Sequence, residues 1–182
     1  MKITVPDSLA DLTVTRYMAF RNADGEVAQI AALCGIDKSM VEGMDMKSMS
    51  RVLRVLAGID MEDMNKHHLQ DIVTVKGVDY GFHPNLSGMT LGEYIDLEAA
   101  TNSIETDLPS ALGVLYRKVE ERYDKSYSVK PYQSGADLSA YGEFRMDVVF
   151  GALAFFLTLG ADFVMNLAPY FQELKEAEAE QS

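Results

Sequence analysis

Apolar and polar positions change period along this chain, and each change marks an expected element. Between Ile72 and Phe82 the pattern is that of strands: Ile72–Val75 and Val78–Phe82 are rich in β-branched and aromatic residues, and Lys76-Gly77 between them supplies a two-residue hairpin turn. Pro84 cannot donate to a ladder, so the second strand is expected to stop near His83. Next comes Thr90-Leu-Gly-Glu93, a capping box that opens a helix.

Elsewhere the period is helical. Thr13 can cap a helix running to Arg21, with Leu12, Tyr17 and Phe20 on one side. Glu26 to Cys34 places Val27, Ile30, Ala31 and Cys34 at helical spacing, and Gly35 fits the C-terminal cap. Ser39-Met-Val-Glu42 reads as a second capping box on a short helix stopped by Gly43. Met46 to Leu56 follows, apolar at Met49, Val52, Leu53 and Leu56. After the Thr90 helix, Asp107-Leu-Pro109 starts another, which the pattern carries through Ser110 to Arg122 with Leu112, Leu115, Tyr116 and Val119 on one face. Ser126 to Pro131 reads as extended and 133–137 as a loop. Ile3–Val5 is expected to be a short strand that pairs with the hairpin.

The largest apolar run is Val148 to Ala161, apolar all round. Its 14 residues fall short of the roughly 20 that span a bilayer, so a buried core helix is expected, running from Leu138 to Leu167. The predicted fold is therefore mainly α with a small antiparallel β element at 72–83 (α+β), built around one long apolar C-terminal helix. A single helical domain covers 1–172, and an acidic tail covers 173–182.

Charge narrows the choice of partners. Lys and Arg number 16 against 28 Asp and Glu, a formal charge of -12, which disfavours nucleic acid and anionic membrane surfaces. The opening Met-Lys-Ile-Thr-Val-Pro-Asp has no long apolar core, so no signal peptide is expected and a cytoplasmic site follows. Cys34 is the only cysteine and reads as a small core residue.

His67-His68 with Asp71 holds metal-ligand residue types, but adjacent positions on a helix diverge by about 100° and cannot share an ion. His83 is expected to pack or bond locally. Asp96 and Glu98 diverge in the same way, and Glu93 is taken up by its cap. Phosphate-binding glycine loops and the nucleophile elbow do not occur in the sequence. No catalytic residue, cofactor or metal is expected. More than half of the 11 methionines lie between Met40 and Met64. They are expected mostly as core filler, with an adaptable binding surface as the alternative, and Met46, Met49 and Leu53 are the partner-binding candidates.

In order along the chain stand M-K-I-T-V-P-D-S-L-A-D-L-T, G-V-D-Y-G-F-H-P-N-L-S-G-M-T-L-G-E-Y-I-D-L-E, A-L-G-V-L-Y-R-K and V-F-G-A-L-A-F-F-L-T-L-G-A. This series resembles a family of small proteins of tailed bacteriophages, over the span from Met1 to about Leu174, with Tyr80 to Leu97 its most specific part. Lys76-Gly77 departs from it, where Asn-Gly would be expected. The resemblance implies a non-enzymatic assembly protein of the host cytoplasm, acting as a tail assembly chaperone on a tape-measure-like or other tail protein. A structural virion subunit, such as a connector or a head- or tail-associated protein, is the alternative, and a homo-oligomer fits either.

Overall fold

The expected hairpin forms, and it is half of a larger sheet. The computed structural model describes residues 3–61, 66–103, 107–124, 126–156 and 158. β1 (Ile72–Val75) and β2 (Val78–Phe82) pair antiparallel from Val75↔Val78 to Ile72↔Gly81. Lys76 (φ 48°) and Gly77 (φ 79°) both take positive φ, the backbone of a type I′ turn.

β3 (Tyr116–Arg122) adds to the other edge of β2, and β4 (Tyr127–Val129) adds to β3, giving a four-stranded antiparallel sheet in sequence order. The fold is thus α+β. The expected helix over Ser110–Arg122 is corrected: α6 (Leu108–Leu115) stops at Tyr116, whose backbone is extended and pairs with Phe82. The ladder along the open edge of β2, with burial of Tyr116, outweighs the helical preference of the Arg, Lys and Glu residues in Arg-Lys-Val-Glu-Glu. Gly81 has a steric role, because a Cβ there would collide with the Tyr127 ring lying over it. The Tyr127 hydroxyl donates to the Phe82 carbonyl at 2.7 Å.

Among the described residues four α-helices precede the sheet: α1 (Val14–Arg21), α2 (Glu26–Cys34), α3 (Lys38–Glu42) and α4 (Met46–Leu56). Thr13 caps α1, and Gly35 (φ 64°) closes α2 in the left-handed conformation. Asp45 caps α4 by accepting from the Ser48 amide at 2.9 Å. Ser39 makes no capping box, since α3 begins at Lys38 after Asp37, which leaves Ser39 inside the first turn. Ile3–Val5 forms no strand; Ile3 and Val5 pack against a small core of Ile30, Ala31, Cys34, Val41 and Val52.

The main core lies under the sheet, with Tyr80, Phe82, Tyr116, Tyr141 and Phe144 in edge-on or tilted ring contact. The long helix from Leu138 to Leu167 is not found. Ser139–Glu143 is a 3-10 turn, Phe144 is extended, and Arg145 bridges to Thr13. The Val14 amide donates to the Phe144 carbonyl (2.9 Å) and the Met146 amide to the Leu12 carbonyl (2.8 Å), so pairing with the chain before α1 interrupts the helix. α7 begins at 146 and is described through 156; residues 159–167 and the tail lie outside the described residues. Nor is α7 buried all round, for Phe155 is 41% exposed. Among the described residues no helix is long and apolar enough to cross a membrane.

α5 (Leu91–Asn102) opens with the expected capping box: the Glu93 amide donates to Thr90 Oγ1 (3.2 Å) and the Thr90 amide to Glu93 Oε2 (2.6 Å). Thr90→Ala removes an N-cap acceptor and is expected to cost about 0.5–2 kcal/mol, read as a lower urea midpoint with an unchanged slope. An unmoved midpoint would show that the hydroxyl does not stabilise the helix start.

Candidate functional site

α2 and α4 leave a groove between them. Its volume is about 460 Å³, and its walls include Phe20, Ile30, Leu33, Leu53, Leu56 and Met61. Glu26, Gln29 and Asp60 stand among the polar lining residues. On α4 the stripe Met46, Ser50, Leu53, Ala57 follows helical spacing. Val52 is the buried residue of α4 and faces the small core, which turns this stripe outward.

The three candidate residues separate. Leu53 lines the groove and is 36% exposed, and Met46 is 79% exposed at the start of the same stripe. Met49 is half-buried and packs with Met44 against the small core, so it is a packing residue. Of the other methionines, Met61 lines the groove, and Met64 lies outside the described residues. Sequence reasoning missed Phe20 and Ile30, which read there only as helix-face residues, and did not single out Leu33. A groove arises from how two helices sit together, which no local pattern encodes.

The second concentration of polar groups is the buried Glu93 and His83 with the largely covered Arg117. Glu93 is 4% and His83 8% exposed. Arg117 Nη1 donates to Glu93 Oε1 at 2.8 Å, and His83 Nε2 lies 3.7 Å from the same oxygen. The Asn85 amide donates to His83 Nδ1 (3.2 Å), which leaves the proton of the neutral ring on Nε2, facing the carboxylate. Burial, and then the Arg117 cation, lower the His83 pKa from its ordinary 6.5 against the opposing pull of Glu93. Burial pushes the Glu93 pKa up, but the hydrogen bonds from Thr90 and the Arg117 charge outweigh it and hold Glu93 below its ordinary 4.5. The cluster ties the start of α5 to β3.

This arrangement has the chemistry of a clamp. Its carboxylate is consumed by the cap and the guanidinium, and burial raises the pKa of the Cys34 thiol, opposing a thiolate. Arg117 was expected on a helix, and only the strand register carries it to Glu93. His67 lies outside any helix with its ring edge-on to Phe150 at 6.0 Å, and the His68 carbonyl packs where a Cβ on Gly151 would fall. Among the described residues no group of His, Cys, Asp or Glu is placed to hold a metal.

No protein-family model, curated protein or solved structure matches this chain.

Proposed function

We propose that the protein is a non-enzymatic assembly factor of a tailed bacteriophage, a tail assembly chaperone that holds an apolar helix of a tape-measure-like client in the groove between α2 and α4. The observation that carries this reading is the groove itself, with Leu53 on its wall and Met46 exposed on the same helix stripe. An apolar channel walled by helices suits recognition of an amphipathic helix through anchors at helical spacing. The charge of -12 favours solubility in a protein that displays such a surface. The resemblance noted from the sequence supplies the biological setting.

Co-expression with the tape-measure candidate of the same genome tests the proposal. The client is expected to become soluble and to co-purify. Met46→Lys with Leu53→Lys should abolish this while the circular dichroism spectrum and melting temperature stay near wild type, because both side chains are exposed. A client that aggregates regardless would overturn the reading. Stoichiometric recovery of the protein in mature virions would replace it with the structural-subunit reading.

A further inference from the structure

One cross-strand row on the core side of the sheet gathers two cations and a hydroxyl. The register sets Tyr80 of β2 opposite Lys118 of β3, and the Lys130 amide donates to the Lys118 carbonyl at 2.9 Å. That bond lies one step beyond the Val119↔Val129 pair, so Lys130 continues the row. Residues directly opposite on antiparallel strands stand on the same face. The two lysines are therefore neighbours there, and their like charges repel. Neither is in an ion pair with another described residue, in a chain with 28 Asp and Glu.

The row opens on a cavity of about 310 Å³. Tyr80, Lys118 and Lys130 line it, and Pro131, Ala136 and Ala140 supply apolar wall. Tyr80 is 3% exposed, yet its hydroxyl forms no hydrogen bond with a described residue. A buried hydroxyl without a partner costs free energy, and the core tyrosines Tyr116 and Tyr141 avoid that cost by donating to carbonyls. Arg117 also lines the cavity, but its guanidinium is committed to Glu93. Asp137 is the carboxylate among these lining residues. Its oxygens already accept from the Ser139 amide and hydroxyl at 2.9 Å each, so it offsets the lysines only in part. Lysine on an edge strand deters pairing with other chains, which accounts for Lys130 on β4. It explains neither Lys118 on the interior strand β3 nor the Tyr80 hydroxyl.

The geometry points to a binding site for a small phosphomonoester, its phosphate held by Tyr80, Lys118 and Lys130 and its organic part along Pro131, Ala136 and Ala140. A phosphate ester offers three acceptor oxygens and a charge of roughly -2, one oxygen for each donor and one charge for each lysine. A carboxylate has two oxygens and a single charge, and it leaves one of the three donors unmet. At about 310 Å³ the cavity stands at the small end for a ligand pocket, which limits the organic part to a few carbons. The site shares no lining residue with the groove between α2 and α4, so either can fail without the other.

Isothermal titration calorimetry with glycerol 3-phosphate, inorganic phosphate and succinate tests this on the intact protein. Glycerol 3-phosphate is expected to bind more tightly than the other two. Lys118→Gln with Lys130→Gln should weaken it at least about tenfold, since two charge-assisted contacts are lost. Tyr80→Phe should weaken it about tenfold as well, through one hydrogen bond to a charged group. The same variant, without ligand, should melt at or above the wild-type temperature, because the hydroxyl has no partner in the free protein to lose. A Tyr80→Phe melting temperature well below wild type would show that the hydroxyl is already bonded in the fold, and would defeat the site. Unchanged affinity in either variant would do the same, as would no binding of glycerol 3-phosphate below about 10 mM. Succinate binding as tightly as the ester would overturn the assignment to phosphate, and inorganic phosphate binding as tightly would remove the organic part. Tighter binding of single-stranded DNA, lost in the same variants, would replace the small ligand with a nucleic-acid backbone and overturn the inference.

Discussion

Phe144→Ala should lower the unfolding free energy by about 3–5 kcal/mol, the cost of deleting a fully buried aromatic ring. Phe144 is 0% exposed, and its ring meets those of Tyr80, Tyr116 and Tyr141 at centroid distances of 5.3, 5.4 and 5.4 Å. Those partners come from β2, β3 and the 3-10 turn before α7, so one cavity would loosen the sheet and the chain entering the last helix together. Surrounding rings are rigid and hydrogen-bonded; the Tyr141 hydroxyl donates to the Tyr116 carbonyl at 2.7 Å and the Tyr116 hydroxyl to the Gln70 carbonyl at 2.7 Å. They cannot collapse far into the space. Phe144→Leu, which keeps most of the volume, should cost about 1–1.5 kcal/mol. Urea melts of both variants decide the matter, and a loss below about 1 kcal/mol for the alanine variant would remove Phe144 from the centre of the core.

Glu93→Ala should cost about 3–5 kcal/mol, because it leaves the Arg117 guanidinium buried without its counter-charge. The same change deletes half of the capping box. Arg117 Nε is already buried without a hydrogen-bond partner, so the guanidinium has little else to lean on. Glu93→Gln with Arg117→Met removes both charges and should lose less than the sum of the single variants, since neither change then strands a buried ion. Additive losses would mean that the two side chains are not coupled.

Acid should act on the same cluster in two stages. The folded His83 has a pKa below 6.5, so the folded state resists a proton that the unfolded chain accepts. Its contribution is fully present above pH 6.5 and is lost as pH falls below that value toward the folded pKa. Glu93, held below 4.5, contributes above pH 4.5 and loses that contribution as pH falls through its folded pKa. Melting temperature should therefore decline from pH 6.5 downward and again below pH 4.5, and His83→Gln should flatten the upper stage. A His83→Gln profile that overlays wild type between pH 7 and 5 would exclude the histidine.

Where local chemistry decides a conformation, this chain spells it out. Lys76-Gly77 makes the hairpin turn, Thr90 with Glu93 makes the cap, Gly35 closes α2, and Met46–Leu56 forms the helix its period describes. Each rests on interactions within a few residues, and those are written in the order of the side chains. Tertiary structure decided the rest. Tyr116–Arg122 became a strand because β2 offered an unpaired edge, and the helix expected from Leu138 was delayed to 146 because Phe144 and Met146 bond to Leu12 and Val14. The groove at Leu53 and the meeting of Arg117 with Glu93 have the same origin. All four depend on groups far apart in sequence, whose hydrogen bonds and buried area exist only once the chain has brought them together, and so they left no local period to read.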